Sequence, residues 1–183
     1  HNPARKIGPA VAAGCSVILK PAEETPASAL HVAQALVDAG LPPGAVQIVF
    51  GVPDEVSRHL LASPVIRKLS FTGSTQVGRI LAAQCAPTLK RLSMELGGAA
   101  PLIVFDDADL DVAIEGTVAG KFRAGGQTCV CPNRVYVQNG LKDAFLEKLT
   151  AKVAALKVGK PFEPDVQIGP LIDAEGVELE PVR

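Results

Sequence analysis

The chain of 183 residues carries 18 Lys and Arg against 19 Asp and Glu, so its formal net charge is −1. This balance gives no sign of the basic surface with which proteins bind nucleic acid or anionic membranes. The composition is 48% hydrophobic with no Trp, which predicts a sizeable, mainly aliphatic core. Four cysteines and three histidines lie scattered along the chain, which argues against a disulfide scaffold and against a metal site.

The chain also shows no sign of a membrane protein or of an exported one. No stretch approaches the roughly 20 apolar residues of a membrane span. The first residues lack the charged and apolar regions of a signal peptide. We therefore expect a reducing, cytoplasmic setting.

The first half alternates short apolar strands with helices. A small-residue helix is predicted to end at Gly14, and Thr25 with Pro26 is predicted to begin the next helix as N-cap and first residue. Strands are predicted at 16–20, 46–50, 66–71 and 90–95, and helices at 27–39, 53–62 and 75–85. This alternation predicts the α/β class, with a Rossmann-like parallel sheet flanked by helices.

The pattern of predicted strands and helices changes after Gly98. The remaining elements are a strand at 101–105, a helix capped by Asp109 and running to about Arg123, a strand at 133–138 and a helix at 141–156. Residues 161–183 contain no complete predicted element. The abrupt start and the unfinished last unit predict the middle of a larger protein.

Polar residues follow the predicted strands where ligands of a parallel sheet bind. Lys20 and Glu23 either hold the hydroxyls of a ribose or form an exposed ion pair worth less than about 1 kcal/mol. Gly73 and Ser74 stand where a strand meets a helix, so Ser74 either helps to bind a phosphate or only caps the helix.

Two further residues are candidates for chemistry. Cys129 follows Gly125 and Gly126, which allow a tight turn, and is either an accessible thiolate nucleophile or a small apolar residue in a buried loop. Glu95 ends a predicted strand and is either a general base near that thiol or a solvated carboxylate. Both are expected at the same edge of the sheet.

Four blocks of sequence together resemble the signatures of the NAD(P)-dependent aldehyde dehydrogenase family, in the same order. The resemblance covers roughly Arg5 to Asp173 and fades after Asp173, so Glu178–Arg183 is expected to diverge from the family. The blocks are Leu19–Glu23, Phe71–Thr75, Met94–Gly98 and Gly126–Cys129.

The resemblance implies a role for each matching residue. Cys129 would form a thiohemiacetal with the aldehyde, which becomes a thioester after hydride transfer to NAD(P), and its main-chain N–H would supply half of an oxyanion hole. Glu95 would activate the water that releases the acid, and Lys6 would lie near the nicotinamide. The implied cofactor-binding residues are Lys20, Glu23, Gly73, Ser74 and Leu96.

Within the family, three segments are similar to succinate-semialdehyde dehydrogenases: Phe105–Asp111, Lys121–Arg123 and Gln127–Cys131. This similarity implies that Arg5 and Arg123 bind the distal carboxylate of the substrate, although Arg123 alone would also suit the end of a helix. Cys131 would either form a disulfide with Cys129 under oxidation or only pack in the loop.

The resemblance also predicts the organisation of the chain. Residues 1–97 would be part of a cofactor-binding domain, and residues 98–183 the start of a catalytic domain. Glu23 favours NAD over NADP, because its carboxylate would repel a 2′-phosphate. We expect a homo-oligomer for the full-length enzyme.

We expect no activity from the 183-residue chain alone, because in the family the side-chain half of the oxyanion hole lies upstream of Arg5. The alternatives are an aldehyde dehydrogenase for apolar aldehydes and an inactive fragment of such an enzyme.

Overall fold

The structure is a computed structural model that describes residues 2–172, so Glu178–Arg183, where the resemblance fades, lies outside the described residues. The chain divides into two compact units, one up to Leu96 and one from Gly97. That the first unit is the cofactor-binding domain and the second the beginning of a catalytic domain stays a prediction.

The first unit alternates helices with strands, as the sequence predicted. Its strands pair in parallel, β1 with β2 and β3 with β4. The elements are α1 (Asn2–Ala12), β1 (Val17–Leu19), α2 (Pro26–Asp38), β2 (Val46–Ile48), α3 (Pro53–Ala62), β3 (Lys68–Gly73), α4 (Thr75–Cys85) and β4 (Arg91–Leu96). The predicted α/β class is confirmed.

One difference from the expected sheet concerns strand pairing. Within residues 2–172, hydrogen bonds join the strands only two by two, whereas the alternation predicted one continuous sheet. Periodicity along the chain identifies strands, but it does not record which strands exchange backbone hydrogen bonds. The pairing therefore had to come from the structure.

Glycine and proline set several helix boundaries in this unit. Gly14 (φ +75°) and Gly40 (φ +84°) take the left-handed backbone just beyond the ends of α1 and α2. Pro26 and Pro53 occupy the first residues of α2 and α3. Thr25 is the N-cap residue of α2, as predicted. Its hydroxyl makes no cap bond, and its backbone (φ −134°, ψ 51°) lies outside the extended region.

The core of the first unit lies on one face of the β3–β4 pair. The strands alternate, so the other face of β3 carries the polar side chains of Lys68, Ser70 and Thr72. The packed apolar residues are Leu61, Leu81, Cys85, Leu69, Phe71 and Met94. One face of this pair is thus held by packing, and the other is available for polar groups.

A buried lysine ties two loops of this unit together. Lys90, 7% exposed, donates from Nζ to the carbonyl oxygens of Ser63 (2.7 Å) and Ile66 (2.8 Å). These bonds join the segment before β3 to the residue before β4. They offset the cost of burying the ammonium and the two carbonyl groups.

The second unit is a parallel pair of strands packed against two helices. Its elements are β5 (Ala100–Val104), α5 (Leu110–Phe122), β6 (Pro132–Val137) and α6 (Lys142–Ala154). Val104, Ile114 and Phe145 form its buried centre. Asp109 caps α5 by accepting a hydrogen bond from Val112 N (3.0 Å), as predicted. No helix within residues 2–172 is both long and apolar enough to cross a membrane.

Candidate active site

The candidate residues of the first unit lie at the carboxyl ends of its strands. Lys20 follows β1 directly, Gly73 ends β3 and Ser74 follows it. Glu95 and Leu96 are the last two residues of β4, and Thr72 is the register partner of Glu95 on β3. Regular strands therefore place these residues.

Lys20 and Glu23 form an ion pair after β1. The Lys20 ammonium donates to the Glu23 carboxylate and to Pro21 O (3.0 Å). The hydrogen bond from Lys20 holds the pKa of Glu23 below its usual value, so the carboxylate is ionised at neutral pH. Its side chain is 49% exposed, which leaves acceptor positions open to hydroxyl donors.

Ser74 caps α4. Its Oγ accepts a hydrogen bond from Val77 N (3.2 Å), which is the simpler of the two roles that the sequence left open. The hydroxyl proton is still free to donate, and the first N–H groups of α4 together with the helix dipole favour an anion at this position. The cap is therefore observed, and the phosphate role stays a prediction.

Two glycines around this edge lie in close contact with neighbouring side chains. A Cβ atom at Gly73 would lie 2.4 Å from the Phe71 ring, and one at Gly78 in α4 would lie 2.7 Å from Leu96 Cδ2. Real Cβ atoms do not come so close to other heavy atoms. The absence of side chains lets the Phe71 ring cover the end of β3 and lets Leu96 pack directly on α4.

Lys6 of α1 reaches the polar face of β3. Its Nζ donates to Ser70 Oγ (2.9 Å). Partial burial lowers the pKa of Lys6 below its usual value; the charge of Glu95 opposes this shift and the charge of Lys68 adds to it. Sequence reasoning missed Ser70, although the two-residue alternation with Thr72 places it on the polar face of β3.

The loop that carries Cys129 in the second unit has an unusual backbone. Ala124 (φ 51°), Gly125 (φ 65°) and Gly126 (φ 80°) are consecutive left-handed residues after α5. The left-handed conformation costs about 1–2 kcal/mol for a residue with a side chain such as Ala124. Cys129 itself is an exposed free thiol. In the chain as described, the Cys129 thiol is accessible to solvent, and its role as the nucleophile stays a prediction.

A backbone hydrogen bond and the nearby end of α5 shape this loop. Cys131 N donates to Thr128 O (3.0 Å), which forms a turn around Cys129. A Cβ atom at Gly126 would lie 3.1 Å from Lys121 O, and one at Gly98 would lie 3.6 Å from Cys129 O. Gly126 is thus needed both for its backbone conformation and for the space next to α5.

Cys131 lies buried at the base of the loop. Its thiol donates to Lys121 O (3.6 Å), and the Lys121 ammonium lies 3.7 Å from Cys131 Sγ and 3.3 Å from Asn133 Oδ1. Cys129 and Cys131 are both free thiols, so the disulfide between them stays a prediction. Sequence reasoning assigned no role to Lys121 or Asn133, because no pattern links a helix-end lysine to a residue ten positions later.

The two arginines expected to bind substrate are both exposed. Arg5 lies on α1 beside Lys6, and Arg123 stands at the C-terminal end of α5. The substrate role and the helix-end role of Arg123 therefore both stay open. The approach of Glu95 to Cys129, which belong to different units, also stays a prediction.

Comparison with known proteins decides the family. A profile described as "Aldehyde dehydrogenase family" matches residues 1–179. The chain belongs to the aldehyde dehydrogenase family. The resemblance drawn from the four sequence blocks is thereby confirmed.

Curated relatives and solved structures agree with this assignment. The chain is 56% identical over 173 residues to the glutarate-semialdehyde dehydrogenase of Pseudomonas aeruginosa, covering 94% of this chain and 36% of that protein. It is 55% identical to the Escherichia coli succinate-semialdehyde dehydrogenase [NADP(+)] GabD, with the same coverage. A crystal structure of succinate-semialdehyde dehydrogenase from Burkholderia pseudomallei superposes with a TM-score of 0.91 at 54% identity, covering 96% of this chain and 36% of that one. The chain thus spans about 36% of the length of these relatives.

Proposed function

We propose that this chain contributes the nucleophile, the general base and the cofactor-binding edge of an NAD-dependent enzyme that oxidises succinate semialdehyde to its acid. The observation that carries the proposal is the exposed Cys129 thiol on a tightly turned glycine loop, in a chain of this family. An exposed thiol on a tight turn is open to a small carbonyl compound.

The chemistry follows from the residues of this chain. The Cys129 thiol gives its proton to the Glu95 carboxylate, directly or through water, and its sulfur attacks the aldehyde carbon, so that a C–S bond forms and the carbonyl electrons move to oxygen. The backbone N–H of Cys129 stabilises this oxyanion. NAD, when bound, would accept the hydride that leaves this carbon as its C=O bond re-forms, which gives a thioester. Glu95 then takes a proton from water, which attacks the resulting thioester, and the C–S bond breaks to release the acid and the Cys129 thiolate.

The cofactor edge of the first unit fits a dinucleotide. The ionised Glu23 offers acceptors for the ribose hydroxyls, and Ser74 with the first turn of α4 offers donors for a pyrophosphate. A negative carboxylate at Glu23 disfavours the extra phosphate of NADP. The Escherichia coli relative is named as an NADP(+) enzyme, so the preference for NAD is proposed for this chain from its own residues.

The substrate class is proposed from charge. Arg5 and Arg123 are exposed guanidinium groups that suit a distal carboxylate. Succinate semialdehyde and glutarate semialdehyde, after which the relatives are named, both end in such a carboxylate. A cytoplasmic location and a homo-oligomeric full-length enzyme stay predictions from the sequence.

The test is protection of Cys129 from alkylation. Formation of a reversible thiohemiacetal removes the thiol, so succinate semialdehyde should slow the reaction of Cys129 with iodoacetamide more than hexanal does at equal concentration. Arg123→Ala should weaken the protection by succinate semialdehyde, whereas Arg79→Ala, on the exposed surface of α4, should leave it unchanged. Peptide mass spectrometry measures the rate at each cysteine.

Equal protection by the two aldehydes would favour an enzyme for apolar aldehydes. Absence of any protection, together with absence of thermal stabilisation by NAD, would favour a fragment without function. Stabilisation by NADP equal to that by NAD would contradict the role proposed for Glu23.

A further inference from the structure

We propose that Lys121 is a positioning residue that holds the Cys131 sulfur inside the base of the loop, so that Cys129 is the thiol of Cys129-Val130-Cys131 that meets an electrophile. The proposal rests on the proposed function only in taking an aldehyde as the natural electrophile. It concerns a selection between two thiols that stand two residues apart.

Lys121 contacts Cys131 through both its backbone and its side chain. The carbonyl oxygen of Lys121 accepts a hydrogen bond from Cys131 Sγ (3.6 Å), and the ammonium donates to the same sulfur (3.7 Å). The ammonium also donates to Asn133 Oδ1 (3.3 Å), the second residue of β6. One residue at the end of α5 thus joins the two ends of the loop.

The backbone conformation of the loop explains why the contacts from Lys121 are needed. Its three consecutive left-handed residues include Ala124, which has no glycine freedom, so the turn needs stabilising contacts from its surroundings. The bond from Cys131 N to Thr128 O makes the position of Cys129 depend on that of Cys131. When Cys131 stays buried, at 2% exposure, the same turn directs Cys129 outward as an exposed thiol.

The charge of Lys121 matters more than its bulk. Sulfur is a weak hydrogen-bond acceptor and donor, so the bond between Cys131 and a backbone carbonyl is weak by itself. An ammonium makes charge-assisted contacts, and its several protons allow it to reach both Cys131 and Asn133 at once. A methionine at position 121 would fill nearly the same space without donating a hydrogen bond.

The four cysteines of the chain allow the test and its controls to be measured in the same molecule. Cys15 and Cys129 are exposed, while Cys85 and Cys131 are buried. Iodoacetamide should therefore modify the first two quickly and the other two slowly in the unaltered 183-residue chain. Peptide mass spectrometry at timed intervals gives a separate rate for each thiol.

Lys121→Met should raise the alkylation rate of Cys131 by about tenfold or more, since charge-assisted contacts that keep it buried are lost. Cys85, buried in the first unit, should stay protected and so report that this unit has not unfolded, and urea unfolding of the variant should show that the second unit is still folded. Lys121→Arg should restore most of the protection of Cys131, which a role of simple packing would not predict. Lys142→Met, on an exposed position of α6, is the matched control and should change no rate.

Continued protection of Cys131 in Lys121→Met would overturn the proposal, as would failure of Lys121→Arg to restore protection. If Lys121→Met also exposes Cys85, Asn133→Ala replaces it as the decisive variant, because Asn133 is exposed and is the other partner of the ammonium. In Asn133→Ala, the alkylation rate of Cys131 should rise, though by less than tenfold, because the ammonium loses only one of its two partners. An unchanged rate would overturn the proposal. Slow alkylation of Cys129 in the unaltered chain would count against the proposed nucleophile, whereas the role of Lys121 is judged from Cys131 alone.

Discussion

The two units present their candidate residues in different ways. In the first unit, Glu95 and Leu96 end a regular strand, and Ser74 begins a regular helix. In the second unit, Cys129 lies on an irregular loop whose position depends on left-handed residues and on contacts from Lys121. A strand places many side chains through one repeated conformation, whereas a loop requires each residue to adopt its own.

Glycine shows this difference most directly. Gly78 allows Leu96 to pack on α4, so a new methyl group there would meet the far end of a flexible side chain. Gly126 has a positive φ, and a new methyl group would meet the backbone oxygen of Lys121 at 3.1 Å. The regular region can therefore adjust around a substitution, and the loop has much less room to do so.

We predict that Gly126→Ala has the larger effect. The left-handed conformation costs about 1–2 kcal/mol for alanine, and the contact with a fixed carbonyl adds to this cost. Gly78→Ala should cost about 1 kcal/mol, because overpacking against Leu96 is partly offset by the better helix propensity of alanine. Urea unfolding measures both changes in the free energy of unfolding.

The control is Gly116→Ala in α5, where a Cβ atom meets nothing within 4 Å. This change should stabilise the chain by about 0.5–1 kcal/mol. Equal costs for Gly126→Ala and Gly78→Ala would show that the loop adapts as easily as the helix, and the comparison between the two regions would fail.

Two substitutions at Ser74 distinguish its capping of α4 from its proposed binding of a pyrophosphate. Ser74→Ala removes the cap on α4 and should cost about 1 kcal/mol in the free energy of unfolding. Ser74→Asp keeps an acceptor for Val77 N, so stability should stay within about 0.5 kcal/mol, while NAD binding should weaken about tenfold because the new charge repels a pyrophosphate. Urea unfolding and calorimetric titration with NAD give the two quantities.

Asp109→Ala, which removes the cap of α5, is the counterpart in the second unit. It should cost a similar free energy without changing the affinity for NAD. If Ser74→Asp bound NAD as tightly as the unaltered chain, the hydroxyl would be a cap and nothing more.

The same division explains what could be predicted from the sequence. Helix ends at Gly14 and Gly40 and the caps at Ser74 and Asp109 follow from local rules that hold in most surroundings. Thr25 also occupies its predicted N-cap position, but its hydroxyl makes no cap bond, a detail that the residue type alone does not determine. Local rules therefore succeed where neighbours along the chain determine the conformation.

Contacts between residues far apart along the chain could not be predicted from local sequence rules. The bond from Lys6 to Ser70 joins positions 64 residues apart, and the contact from Lys121 to Cys131 depends on the path of the loop between them. The family resemblance singled out Cys129 and Cys131, but it did not say that one thiol would be exposed and the other buried. That distinction is a property of packing, which one sequence does not display.

The smallest effect that we predict concerns the ion pair after β1. Glu23 has a lowered pKa because Lys20 donates a hydrogen bond to it, so Lys20→Met should raise that pKa toward its usual value. The pair is exposed and should contribute less than about 1 kcal/mol, and this contribution should shrink in high salt. Since the pKa of Glu23 is lower in the folded chain, the stabilisation is present above the unfolded pKa of about 4.3 and is lost as the pH falls through the folded pKa.

Titration of the Glu23 carboxyl carbon by NMR measures the shift in pKa, with Lys142→Met as the control. An unchanged pKa in Lys20→Met would mean that the pair does not persist in solution, and the first unit would then lack a fixed group for the ribose.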